Sequence, residues 1–412
     1  MSMSEDKICT NGASIWRSAS SLVMTAIGLG ILAMPRAMAQ SGWVGGLLSL
    51  FLSTAVAAFG ALLLWRAALL NPQNRETPMA SFEAIGRASF GRAGAVIPSL
   101  VLHILLIFVC AALLLVLASS ILSLTRVLSI RIWLLISGIV CLPLTWIKDM
   151  KEVGLVAAFG VATVAAAVIT IIVACIAHYV EREDDPAYQI SSPSPLDLIA
   201  TFNMFVLSFT VTVTEPTVIA TMDNPRDFPK ALALAFGFIL LVYTAITILG
   251  YLAFGETLLQ VDTVVDAIAP PADSLTVVAW VIYIIMLLLV AVHLLVLFMP
   301  TAHFIDSLCR FDDMGRWHTP RRATLARIVT RSLQLGACVA LAVAIPSFNR
   351  LVNILAAFCI IMLAVVFPIL FYLRLHYLNK ERVNWIVCAV ALLLLLLSPV
   401  LIGAGLYVAV TS

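Results

Sequence analysis

Charge is scarce in this sequence: Asp, Glu, Lys and Arg make up 11% of the 412 residues, against 62% hydrophobic. An ordinary soluble domain carries about 25% charged residues, so this composition excludes a water-soluble globular chain of the same length. A strong excess of one sign is also missing. The net charge of +2 leaves no electrostatic footprint for nucleic acid. Cysteine is present eight times, at 9, 110, 141, 175, 309, 338, 359 and 388, but no CxxC or Cys/His cluster has metal-ligand spacing. Neither a metal nor a cofactor is therefore expected, and the cysteines read as small packing residues. No polar stretch is long enough for a folded soluble domain. The first fourteen residues, with Glu5, Asp6 and Lys7, lack the pattern of a signal peptide, so the apolar segment after them is expected to persist as a helix.

What the chain does have is long apolar runs. A membrane-spanning helix needs about 20 mostly apolar residues, and backbone groups cannot stay unbonded in lipid. Candidates lie at 15–40, 44–70, 95–119, 130–147, 153–179, 199–222, 230–254, 274–300, 325–345, 350–373 and 384–410, giving an all-α integral membrane protein of about 11 transmembrane helices. With the N-terminus in the cytoplasm and one crossing per span, all but five of the Lys and Arg residues fall at the cytoplasmic side. The exceptions are Arg36, Arg126, Arg131, Arg182 and Arg350. This is the positive-inside asymmetry. Residues 71–94 are expected to hold a short amphipathic helix at the inner surface. The polar, proline-bearing stretch 181–198 reads as a flexible extracytoplasmic linker.

Two spans carry helix breakers at matching places. In the first, Gly28 and Gly30 sit mid-span, with Pro35 beyond them. This spacing permits an unwound stretch whose N–H groups are left unbonded, and a half-helix N-terminus suits a carboxylate. In the sixth, Ser208, Thr210, Thr212 and Thr214 precede Glu215 and Pro216. An ionisable side chain at membrane depth needs a cavity or a partner, and proline frees a carbonyl one turn back. Breaks in spans one and six, the first of two successive groups of five, are the mark of an inverted-repeat transporter with its substrate near mid-membrane. The expected domains are a cytoplasmic tail 1–14, a first repeat 15–180, the loop 181–198, a second repeat 199–375 and an extra C-terminal helix within 376–412.

Gly28-Leu29-Gly30-Ile31-Leu32-Ala33-Met34-Pro35-Arg36-Ala37, followed by Gly42-Trp43 and Gly45, resembles the first-helix signature of the amino acid/auxin permease family. The run Glu215-Pro216 to Asn224-Pro225, with Phe228-Pro229-Lys230-Ala231, is similar to that family's sixth-helix exit, and Gly250-Tyr251-Leu252-Ala253-Phe254-Gly255 to its seventh-helix end. The resemblance implies the five-plus-five fold shared with the bacterial leucine transporter, plus one helix, and secondary transport of amino acids by alternating access. The sequence departs from the family at Thr25, where many members carry Asn, and lacks the sixth-helix His of the sodium-coupled branch. Between Thr276 and Thr301 the eighth span has no Ser or Thr to ligate sodium, which tilts the reading toward proton coupling or none.

The candidate substrate-binding residues are Thr25, Gly28, Leu29, Gly30, Ser208, Phe209, Thr210 and Thr212. The glycine break would supply N–H groups for a carboxylate. The sixth span would supply carbonyls for an ammonium, with Phe209 as a lid. Glu215, His103 and His293 are candidates for proton coupling or cationic selectivity, with Glu215 read as a proton carrier or a brace for the break ahead of a cation selector. Arg36 is expected to face an outer vestibule or pair with an outer acid. The partners are a small amino acid, protons and the lipid bilayer, in the plasma membrane or a vacuolar or lysosomal one. A channel would need a polar stripe along a pore. An enzyme would need a catalytic set at depth, and Glu215, His103 and His293 lie on three different helices.

Overall fold

The computed structural model describes residues 12–28, 30–72, 77–146, 150–182, 186–188, 193–269, 277–309, 311 and 320–411. Leu29, the tail through residue 11 and residues 183–185 and 189–192 of the expected linker lie outside them. The described residues are almost wholly helical. Helix α1 (Ile15–Ala26) begins at the Ser14 cap, whose side chain accepts from the Arg17 N–H. After a non-helical step the chain resumes as α2 (Gly30–Leu69), 40 residues long. At 1.5 Å per residue a straight helix of that length would reach about 60 Å, twice a bilayer core of about 30 Å. It does not run straight. Gly42 has φ 68° and ψ −179°, a conformation that glycine adopts without steric penalty, and the chain turns back there. Arg36, before the turn, donates to carbonyls of the segment after the seventh span. Trp65, after it, donates to the Pro225 carbonyl near the face where α1 starts. That face is fixed by the backbone pairing of Ala13 with Thr221 and Asp223.

Helix α3 (Phe82–Thr125) is bent at Phe90–Gly91. Its first two turns bury Phe82, Ile85, Gly86 and Ser89, one stripe at helical spacing. The short helix expected within 71–94 is this segment, running on into the third span. Next come α4 (Ile130–Thr145) and α5 (Met150–Glu181). The sixth span is split into α6 (Pro195–Ser208) and α7 (Glu215–Thr221). Helix α8 (Phe228–Phe254) and the short α9 (Val264–Ile268) lead to α10 (Val277–Cys309), α11 (Pro320–Ala344), α12 (Phe348–Leu378) and α13 (Trp385–Thr411). Among the described residues, eight helices are long and apolar enough to cross a membrane by themselves. Dividing α2 at Gly42, with α1 completing its first half, and adding the split sixth span and the short α4, the described chain makes eleven passes.

Large apolar side chains such as Leu48, Ile97, Val173, Leu241 and Leu396 are exposed, as expected of a surface whose solvent is lipid. The interior is contiguous and holds α1, α2, α6 and α8 against α3, α10 and α12. Helix α13 docks on α6 where Asn203 donates to the Leu401 carbonyl at 2.9 Å. The 181–198 linker is not free along its whole length. Tyr188 donates to the Leu252 carbonyl and packs against Trp43 and Tyr251, which pins the connection to the end of α8.

A candidate substrate site at two broken helices

The polar breaks meet. Gly30, the first residue of α2, lies against Ser208, the last of α6, so closely that a Cβ built on Gly30 would sit 2.8 Å from Ser208 Cβ. Just beyond, the hydroxyls of Thr25 on α1 and Thr214 before α7 share a 2.9 Å hydrogen bond. A cavity of about 460 Å³ opens between them, within the roughly 300–1,000 Å³ of small-molecule sites. Its polar rim is Ser21, Thr25, Gly28, Gly30, Ser208, Thr210, Thr214 and His293, and its walls are apolar, with Leu105, Val109 and Leu113 of α3 and Val296 of α10 among them. No Asp, Glu, Lys or Arg lines it among the described residues. The cavity reaches exposed Ser21 on the N-terminal side of the break, whereas Ile31, Leu32, Ala33 and Met34 on the far side are all buried.

The structure thus brings Thr25, Gly28, Gly30, Ser208, Thr210 and His293 to one wall-to-wall site. Four other candidates lie elsewhere. Phe209 is not a lid over this cavity: its ring is fully buried edge-on between Phe236 and Tyr243, because the last turn of α6 directs it into α8. Thr212 is buried outside the lining. Glu215 is wholly buried behind the break at the start of α7, and neither carboxyl oxygen has a hydrogen-bond partner among the described residues. His103 shares a 3.1 Å hydrogen bond with Thr301 and stacks on Phe304, away from the cavity. His293 does line the cavity, with Nδ1 donating to the Leu289 carbonyl.

Two features escaped the sequence reading. Thr214 faces the cavity, and Tyr243 of α8 donates to backbone carbonyls at both breaks. The sequence did hold a signal for the second: a lone phenol in a mid-span apolar stretch needs a hydrogen-bond partner.

A second, polar cavity of about 440 Å³ lies toward the opposite face, lined by Arg36, Gln40, Asp262, Asp266, Asn349 and Arg350 among others. Arg36 borders it, but its hydrogen bonds go to carbonyls rather than to an acid. Nη1 donates to Leu258, Leu259 and Val261.

The chain matches the family model "Transmembrane amino acid transporter protein" over residues 11–411. It is similar to amino acid transporter AVT1E of Arabidopsis thaliana, 21% identical over 98% of this chain and 74% of that one. Amino acid transporter AVT1D of the same plant is 22% identical over 90% of this chain and 64% of its own. For AVT1B the figures are 26%, 62% and 48%, so this chain spans between half and three quarters of the length of these relatives. Among solved structures it is similar to Mhp1, a nucleobase-cation-symport-1 family transporter, in a closed conformation with bromovinylhydantoin bound. The TM-score is 0.57 at 15% identity, covering 97% of this chain and 91% of that one. For the inward-facing conformation of Mhp1 the TM-score is 0.55 at 17% identity, over 97% and 89%. At such identity the likeness shows the fold: two inverted five-helix repeats with broken first and sixth helices, and one helix more.

Proposed function

Because this chain belongs to the family of transmembrane amino acid transporter proteins, we propose that it carries neutral, apolar amino acids across its membrane by alternating access. The observation that carries the reading is the cavity itself: hydroxyls and half-helix ends at one rim, hydrocarbon over most of the rest, and no Asp, Glu, Lys or Arg on the wall among the described residues. The orphan N–H groups at the start of α2, with Gly28 and Gly30, suit a carboxylate. Carbonyls and hydroxyls at Ser208 and Thr210 suit an ammonium group. The side chain then lies against Leu105, Val109, Leu113 and Val296. A fixed Asp or Glu in that wall would favour cationic substrates, and a fixed Lys or Arg anionic ones. The described wall has neither.

Coupling to protons, or none, fits better than coupling to sodium. Helix α10 presents Val292, His293, Val296 and Leu297 to the cavity, and sodium needs oxygen ligands. Glu215 and His293 are the protonatable groups at the breaks. The repeats run 15–180 and 199–375, joined by 181–198, with the C-terminal helix beyond 376. With the N-terminus cytoplasmic, the opening at Ser21 faces the cytoplasm, which makes this the inward-open arrangement.

The test is transport by purified protein in proteoliposomes. Radiolabelled leucine or a similar neutral amino acid is expected to show saturable counterflow, competed by apolar amino acids and not by lysine or glutamate. Uptake should not respond to replacement of sodium by choline; a response to a pH gradient would assign the coupling to protons, and no response would mark an uncoupled carrier. Non-saturating flux would indicate a channel, and preference for a charged amino acid would overturn the substrate class.

A further inference from the structure

Tyr243 sits in the middle of α8 and is fully buried. Its hydroxyl lies 2.7 Å from the carbonyl oxygen of Ala26 and 3.0 Å from that of Ser208. Ala26 is the last residue of α1 and Ser208 the last of α6. One phenolic proton is therefore shared between the carbonyl ends of both half-helices. The terminal carbonyls of a helix have no partner within it and carry the negative end of its dipole. Two such ends converging inside a membrane protein form a place where discontinuous helices hold a cation. Here the place is filled by a side chain. The ring is locked edge-on against Phe209, with centroids 5.1 Å apart, so the hydroxyl has little freedom to leave. Ala26 and Ser208 line the substrate cavity while Tyr243 does not.

We propose that Tyr243 is a positioning residue that takes the place of a coupling cation: its hydroxyl holds the two half-helix ends at the separation the substrate site needs, so the site assembles without a bound metal ion. This rests on the transporter reading, and deepens it. In a cation-coupled carrier the bridge between the half-helices arrives and departs with the ion. In this chain it is covalently tethered and always present. Substrate affinity should then be independent of sodium in the native protein, and removal of the hydroxyl should expose two carbonyl ends that an added cation can occupy.

The variant is Tyr243→Phe, which keeps the ring packing against Phe209 and loses only the donor. Two measurements on the full chain are needed. Hydrogen exchange of the purified protein is expected to quicken in segments 24–30 and 205–214 and to stay unchanged in α13. In proteoliposomes the variant's KM for a neutral amino acid should rise about tenfold or more in choline medium with Vmax held within about twofold. Sodium chloride should recover part of that loss, while native KM is the same in both media. Native exchange at both breaks overturns the proposal. So does a fall in Vmax at native KM with faster exchange throughout, which would mark a purely structural role, and so does an affinity loss that sodium leaves untouched. The exchange measurement needs no substrate. It decides on the tether even if the native protein moves no amino acid, a result that would count against the transport reading instead.

Discussion

Gly28 and Gly30 stand two residues apart and face different surroundings. A Cβ on Gly28 would meet His293 no closer than 3.6 Å, ordinary van der Waals contact, whereas one on Gly30 would run into the Oγ, Cβ and Cα of Ser208. Gly30→Ala should therefore push α2 and α6 apart, at an overpacking cost of about 1–3 kcal/mol, and abolish substrate binding. Gly28→Ala should bind substrate with near-native affinity. Ligand-induced thermal stabilisation of the two purified variants checks both expectations, and equal loss in each would show that the close approach at Gly30 is not what matters. Glu215 poses a different problem. It is a buried carboxyl with no described hydrogen-bond partner, and a charge so placed is strongly disfavoured. If it carries the coupling proton, Glu215→Gln should flatten the pH profile of uptake while leaving counterflow intact. A variant that keeps the native pH profile would leave Glu215 only as a brace for the break.

Between elements, one joint is a buried ion-pair group. Asp306 on α10 bridges to Arg331 at 2.9 Å and Arg327 at 3.4 Å, both on α11. Arg331 also donates to the Thr145 carbonyl at the end of α4. With Arg331 only 2% exposed, the group forms a buried clamp over three helices. Removing one partner of a buried ion pair leaves the other charge uncompensated, at a cost of about 3–5 kcal/mol. Asp306→Ala should accordingly lower the melting temperature by many degrees, and replacing Arg331 in the same background should add less than its effect alone. Strict additivity of the two losses in thermal denaturation would dissolve the clamp. In α12 the turns from Ala356 to Val366 are widened into a π-helix. The Ala364 carbonyl there presses against Gly60 of α2, where a Cβ would collide with it. This widened segment directly follows Leu355 and contains Ile360, two residues of the cavity wall.

For the molecule as a whole, the two cavities lie on opposite sides of the joined breaks, one reaching Ser21 and the other bounded by Gln40. An alternating carrier should expose them in turn. Cysteines placed at Ser21 and Gln40, in a background with the half-buried Cys309 and Cys388 replaced, should react reciprocally with a membrane-impermeant reagent. Conditions that slow one should speed the other when substrate is added. Parallel changes at both positions would mean that the two sides do not alternate.

The sequence by itself determined the solvent and the path of the chain. Apolar runs of bilayer length, the scarcity of charge and the glycine and proline interruptions act locally, through the cost of unbonded backbone in lipid, so the eleven passes and the breaks at Gly28–Gly30 and Ser208–Glu215 were legible without coordinates. Only the tertiary structure decided which polar residues share a cavity. Helical phase at a break is set by neighbours distant in the chain, so the unwound step after Ser208 sends Phe209 into α8 and Thr214 toward Thr25, and no local pattern announces either. The same holds for Arg36, which bonds to three carbonyls more than 200 residues away along the chain. It holds too for Tyr243, whose hydroxyl finds two helix ends 217 and 35 residues distant: a hydrogen bond depends on where atoms lie in space, and sequence order does not record that.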